Sequence, residues 1–272
     1  MSEKISLAGD LGSGKSTVSK ILIEALGAEY YSTGAIVRSV AEKRGMSVVE
    51  LNKYMETHPE LDNEIDEGIA KLSSDPRRLI IDSRMAWHFT KGTFKIYLST
   101  DIETSALRIM SANRQGEHAA SLEETISETR ARRESEKKRY LEQYGVDIKD
   151  LTNYDLIVDT TYATPEVIAE CIIDCFEKWC LDKSFKGVYI SPERLNYPER
   201  EIDGDAVSAL AAKLELGEEI PAPEIAEENG EFYLVSGFES AMAYTMSFSD
   251  FVVGKLVCSK LDCEYVKMRN SL

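Results

Sequence analysis

Residues 9–16 read Gly9-Asp10-Leu11-Gly12-Ser13-Gly14-Lys15-Ser16, with four residues between the outer glycines and a lysine and a hydroxyl side chain immediately after. This spacing constrains the fold more than any other feature, because it works in one setting, a loop that leaves a buried strand and opens a helix. Both flanks comply. Ile5 and Leu7 make residues 4–8 a short buried strand. Val18, Ile21, Leu22, Ala25 and Leu26 recur at spacings of three and four, the one-sided stripe of a helix that Gly27 is placed to end. Glycines let successive backbone N–H groups turn inward as an anion nest, and the helix N-terminus adds partial positive charge. Lys15 then reaches the β- and γ-phosphates of ATP, and the Ser16 hydroxyl ligates Mg²⁺. Gly9, Gly12, Ser13, Gly14 and Thr17 complete the ATP site. A chance glycine-rich turn is the alternative, and the strand–loop–helix context argues against it.

Strands and helices alternate through the first two thirds of the chain. A strand and turn at 29–34 lead to a helix that Gly45 ends, Ser47 with Glu50 forms a capping box, and Leu61, Ile65, Ile69 and Leu72 mark a further helix. Leu79-Ile80-Ile81 and the run from Phe94 to Leu98 have the continuous apolar character of parallel strands. Residues 102–113 read as helical, Ser121 with Glu124 opens a long charged helix that Gly145 closes, and Leu156-Ile157-Val158 is another strand. Thr164-Pro165 starts a helix whose stripe includes Ile168, Ile172, Phe176 and Trp179. The pattern predicts an α/β fold, a parallel sheet sandwiched by helices. It resets near residues 182–186. A strand at 187–190, a helix at 203–215, a strand at 220–226, a hairpin turn at Asn229-Gly230, a return strand at 232–235, a short helix and a strand at 251–257 read as a small α+β domain. Two domains are therefore expected, 1–183 and 184–272.

Composition narrows the partners. A net charge of −16 and a pI near 4.8 exclude a broad nucleic-acid surface, which needs clustered Lys and Arg. Much of the acidity is in the tail, where ten acidic residues between Glu201 and Glu231 face Lys213 alone. The five cysteines lack zinc-ligand spacing, and Cys171 and Cys175 share an apolar helix stripe, as buried thiols of a reducing compartment would. No apolar run approaches the roughly 20 residues of a membrane span. The expectation is a cytoplasmic protein without a membrane partner.

Three further segments point to phosphoryl transfer to a small acceptor. Tyr31-Ser32-Thr33-Gly34 is a hydroxyl-rich turn opening a helix with Arg38 one turn in, a second anion site or, alternatively, an ordinary helix cap. Leu79-Ile80-Ile81 delivers Asp82-Ser83-Arg84 to the carboxyl edge of the sheet, where ligands of such folds bind. Asp82 either holds Mg²⁺ and the acceptor or merely caps a helix, and Arg84 can pair with the acceptor phosphate. The stretch Arg130, Arg132, Arg133, Lys137, Lys138 and Arg139 places Arg132, Glu136 and Arg139 on one helix face, two guanidiniums with a carboxylate between them. Guanidiniums match phosphate oxygens and neutralise charge on a transferring phosphoryl group. Lys15, Arg132, Arg133 and Arg139 are the candidate catalytic residues. A solvated helix with internal ion pairs is the alternative for the basic stretch.

Residues 4 to about 170 resemble archaeal-type cytidylate kinases of the P-loop nucleoside monophosphate kinases. Gly9 to Thr17, Ser32-Thr33-Gly34 with Arg38, Ser83-Arg84, Arg132-Arg133-Glu134-Ser135-Glu136 through Arg139-Tyr140, and Asn153-Tyr154-Asp155 to Thr160 carry the likeness. The resemblance implies a core, an acceptor site and a helical lid, with CMP or dCMP as acceptor. It makes Ser32, Arg38, Arg84, Arg132 and Arg139 acceptor or transition-state contacts, turns Glu136 to the cytosine edge and stacks Arg114 on the donor adenine; Thr33, Gly34 and Asp82 complete the candidate acceptor site. Ser83 stands where many relatives have Gly, and Val37 where an aromatic is common.

Residues 186–266 are similar to the N-terminal domain of ParB-like proteins, through Tyr189 to Leu195, Ile220-Pro221-Ala222-Pro223-Glu224, and Asn229-Gly230 to Gly237. Their phosphate-handling segment carries His or Glu and then Arg, whereas this chain reads Gly237-Phe238-Glu239-Ser240. The tail is thus expected to be structural, regulatory or dimerising, including pairing of two copies through it, with a retained small-ligand site as the alternative. A nucleotide-gated regulator, or a kinase for another small acceptor, remain the other readings of the whole chain.

Overall fold

The computed structural model describes residues 3–112 and 121–267. Its first strand, β1 (Lys4–Gly9), is buried throughout and passes through the phosphate loop into α1 (Lys15–Leu26). The chain then runs β2 (Glu29–Ser32), α2 (Thr33–Arg44), α3 (Val48–Met55), α4 (Pro59–Lys71), β3 (Leu79–Asp82), α5 (Ala86–Phe89), β4 (Thr93–Ser99), α6 (Ile102–Ser111), α7 (Leu122–Tyr144), β5 (Leu156–Asp159) and α8 (Pro165–Leu181). The caps legible in the sequence are formed. The Ser32 side chain accepts the Ala35 N–H, Ser47 and Glu50 bond reciprocally, and Thr164 accepts the Val167 N–H. Strands β2, β3, β1, β4 and β5 lie side by side in that order, all parallel. Their carboxyl ends therefore share one edge, which is where an α/β sheet places its ligand.

The sheet continues past residue 183. β6 (Gly187–Ile190) adds in parallel to β5. β7 (Leu195–Pro198), α9 (Gly204–Glu215), β8 (Glu224–Glu228), β9 (Glu231–Ser236), α10 (Phe238–Met246), β10 (Val252–Val257) and β11 (Tyr265–Lys267) follow. Beyond β6 the order is β10, β8, β9, β7, β11, giving eleven strands among the described residues. Asn229 and Gly230, at φ of 56° and 85°, turn β8 into β9 with the left-handed geometry that a two-residue hairpin needs. Two strands went unread in the sequence. β7 contains Asn196 and ends on Pro198, so it lacks an apolar run, and β11 has three residues. β8 starts only at Glu224, because Pro221 and Pro223 carry no N–H for a ladder.

Alternation along the strands divides the interior. Ile96, Leu98, Leu156 and Val158 face α1 and α8 with Leu22, Ile172, Phe176 and Trp179. Tyr97 and Ile157 point the other way, as period-two geometry requires, into a second core. That second core is shared. It contains Trp87, Leu151 and Tyr154 together with Leu195, Tyr197, Phe232, Leu234, Phe238 and Val252 of the tail. Among the described residues no helix is long and apolar enough to cross a membrane.

Phe232 is 1% exposed at the centre of this shared core. Phe232→Ala is expected to cost about 3–5 kcal/mol of stability. Urea melts followed by tryptophan fluorescence and by circular dichroism should remain one coincident transition; two separated transitions would show that the tail unfolds alone.

Candidate active site

The loop after β1 depends on Gly9. At φ +145° it lies against β4, and a Cβ there would stand 2.4 Å from the Leu98 carbonyl oxygen. Gly14, at φ +79°, is the N-cap of α1, and no side chain caps that helix. Its first turn is thereby left to an external anion. Lys15 folds over its own loop, donating to the Gly9 carbonyl (3.0 Å), the Asp10 carbonyl (2.8 Å) and Ser13 Oγ (3.3 Å). Burial lowers its pKa to about 7, and the nearby Arg84 adds to the effect. Ser16 and Thr17 are exposed at the helix start.

The neighbouring strand ends bring up the second set. Register pairs Ser32 of β2 with Asp82 of β3. Asp82 Oδ2 accepts from Tyr30 Oη (2.7 Å) and Ser32 Oγ (3.5 Å), and Thr33 Oγ1 donates to the Asp82 carbonyl (3.3 Å). The Arg38 guanidinium lies over Gly34, 3.5 Å from where a Cβ would sit.

α7 closes the site from the third side. Glu136, 6% exposed, accepts Arg84 Nε at 2.8 Å and Arg132 Nε at 3.1 Å. Burial alone would raise its pKa, but Arg84 and Arg132 hold it at about 2. The carboxylate expected at a base edge is thus shared between two guanidiniums. Arg139 anchors the helix: it donates to the Asn52 carbonyl and side-chain oxygens, each at 3.1 Å, and its Nε lies 3.7 Å from Asp62. One cleft is lined by Gly12 to Ser16, Ser32 to Gly34, Arg38, Asp82, Arg84, Arg132, Glu136 and Arg139.

Other expected residues stand elsewhere. Arg133 faces Asp10 (3.7 Å) and Ser105 Oγ (3.4 Å). Thr17 lines a second cleft on the far side of the phosphate loop, with Arg108, Ile109, Ala163 and Pro165. Arg114 lies outside the described residues.

Sequence reading missed several groups. Asp62 and Asp66 line the main cleft from α4. Burial lifts Asp66 to about 6 although Tyr144 Oη donates to it at 2.7 Å. Their i, i+4 spacing beside Ile65 and Ile69 was the available signal. Asp10 is buried and accepts from Tyr97 Oη (2.9 Å), the Thr100 N–H (3.0 Å) and Lys149. Burial opposes its ionisation, but Lys149 and Arg133 hold it well below the usual carboxylate range. Lys149 carried no local signal.

Residues 4–162 match the cytidylate kinase-like family. The cytidylate kinase of Thermoplasma volcanium is 37% identical over 190 residues, covering 68% of this chain and 95% of its own length. That of Sulfurisphaera tokodaii is 38% identical over 182 residues, covering 66% and 98%. A protein of Lacinutrix mariniflava named S-adenosylmethionine-dependent nucleotide dehydratase is 37% identical over 182 residues, covering 65% of this chain; the chain spans only 37% of that relative's length.

Phosphate oxygens beside Lys15 would raise its pKa above the value of about 7 it has here. Binding then takes up a proton, so affinity is full below pH ~7 and falls as pH rises above it, by at most ~10-fold per unit. Calorimetric titration with ADP from pH 7.5 to 9 should show this slope, and Lys15→Ala should abolish it. A flat wild-type profile would contradict the assignment.

Proposed function

The chain belongs to the cytidylate kinase-like family, and from that premise we propose that it transfers the γ-phosphoryl group of ATP to a nucleoside monophosphate, CMP or dCMP. The observation that carries this reading is the single cleft in which an uncapped helix N-terminus, a second hydroxyl-rich turn with Arg38, and the guanidiniums of Arg84 and Arg132 converge. A nucleotide switch needs the first of these; only a transferase needs all three.

The residues fit ATP–Mg²⁺. The uncapped first turn of α1 accepts phosphate oxygens, and Lys15 can exchange its loop carbonyls for them. Ser16 and Asp82 offer oxygens to Mg²⁺, which keeps several waters and takes its remaining ligands from phosphates, so a dedicated acidic cage is not required. ATP supplies the group that moves. Ser32, Arg38 and Arg84 orient the acceptor phosphate, and Arg132 neutralises charge as it spreads over the transferring group. Catalysis is positioning and charge neutralisation, without a covalent intermediate. Cytosine presents an exocyclic amine, which a carboxylate accepts; Glu136, Asp62 and Asp66 line the same cleft. For residues 184–272 we propose a ParB-like origin and a supporting role, in keeping with Phe238 and Ser240 being buried where that group keeps phosphate-handling residues.

The test is ADP release from ATP–Mg²⁺ with CMP, dCMP, UMP, AMP, GMP or free serine. Turnover with CMP or dCMP, lost in Lys15→Ala, is the expected result. Arg132→Ala should lower kcat by ~10²–10³-fold with an unchanged circular dichroism spectrum. Nucleotide binding without turnover on any acceptor would instead favour a regulatory protein.

A further inference from the structure

The family match ends at residue 162, but the polar network around the second cleft does not. Arg194, 3% exposed, sits in the turn before β7 and points to the carboxyl end of β5. Its Nη1 donates to Asp159 Oδ1 at 3.2 Å and to Thr161 Oγ1 at 2.8 Å, and its Nη2 donates to the Gly230 carbonyl at 2.7 Å. Asp159 is fully buried, and the same carboxylate oxygen accepts the Thr161 N–H (3.2 Å) and hydroxyl (2.6 Å). Burial pushes the Asp159 pKa up, and Arg194 is the main influence that opposes it.

The segment so held is connected to the cleft at both ends. Thr161 Oγ1 accepts the Asp101 N–H at 3.2 Å, at the start of α6. One α6 residue, Arg108, donates back to the Thr160 carbonyl (2.7 Å) and the Thr161 carbonyl (3.2 Å). Arg108 and Ala163 then form walls of the cleft that also contains Gly12, Ser13, Gly14 and Thr17. A second α6 residue, Ser105, donates its hydroxyl to the Leu11 carbonyl of the phosphate loop.

We infer that Arg194 is a positioning residue for donor binding: reaching from the tail, it holds Asp159 to Thr161, and through them Arg108 and Ala163, in the shape that receives the nucleoside end of ATP. The inference rests on the kinase reading above. The hairpin turn at Gly230 is the other anchor of the clamp, so the tail contributes to the donor site without touching the nucleotide.

The experiment is calorimetric binding of ADP to the full chain, with KM for ATP and for CMP and kcat measured alongside. Arg194→Met keeps the length and removes the charge. It should weaken ADP and raise the ATP KM by ~10-fold while leaving the CMP KM and kcat within ~3-fold, the loss expected for a charged hydrogen bond. Arg194→Lys should recover part of the loss. Thr161→Val, nearly isosteric, should act in the same direction and carries the test if Arg194→Met fails to fold. A strut serving stability alone would reduce the active fraction, and hence the apparent kcat, with both affinities unchanged. Unaltered ADP affinity in the folded variants overturns the inference by itself. No ADP binding by the unaltered chain would overturn it together with the kinase reading.

Discussion

Glu136 is a carboxylate buried between two guanidiniums, one from its own helix and one from the end of β3. Burying three charges is costly unless each is satisfied by another, and removing one partner would strand the rest. This triad fixes where α7 sits over the sheet edge. Arg139, one turn further along, fixes the same helix against α3 and α4 through Asn52 and Asp62. α7, the helices α3 and α4 and the strand end that carries Arg84 are therefore parts of one polar assembly, and the cleft is the space that this assembly leaves open.

A second buried carboxylate does comparable work beneath the phosphate loop. Asp10 is tied to β4 through Tyr97 and Thr100 and to the segment after α7 through Lys149. The loop is thus held from below by a charged network and from the side by Gly9 against Leu98. Under the kinase function proposed above, such support would hold the phosphates in line, because small displacements of a donor relative to its acceptor are felt directly in rate.

The tail is built into the same sheet as the rest of the chain. Its composition is acidic and its pattern resets near residue 184, both signs of a separate unit. Yet β6 joins the parallel sheet at β5, and Phe232, Leu234 and Phe238 fill the face opposite α1 and α8. A face carrying Tyr97 and Ile157 must be covered by something apolar, and here the covering comes from later in the chain.

Much of the fold was legible beforehand because its causes are local. The phosphate loop, the caps at Ser32, Ser47 and Thr164, and the turn at Asn229-Gly230 each follow from residue type and spacing within a few positions. The candidate site was legible in part: Ser32, Asp82, Arg84 and Arg132 carried motif signals, and the cleft does bring them together. What spacing alone could not supply is who pairs with whom. Glu136 meeting Arg84 spans 52 residues, Asp10 meeting Lys149 spans 139, and Arg194 meeting Asp159 spans 35. The sequence by itself determined a phosphate-binding loop in a parallel α/β sheet. Only the tertiary structure decided which charges lie buried together, because the energy of an ion pair depends on distance and solvent exclusion, and neither is set by neighbours in the chain.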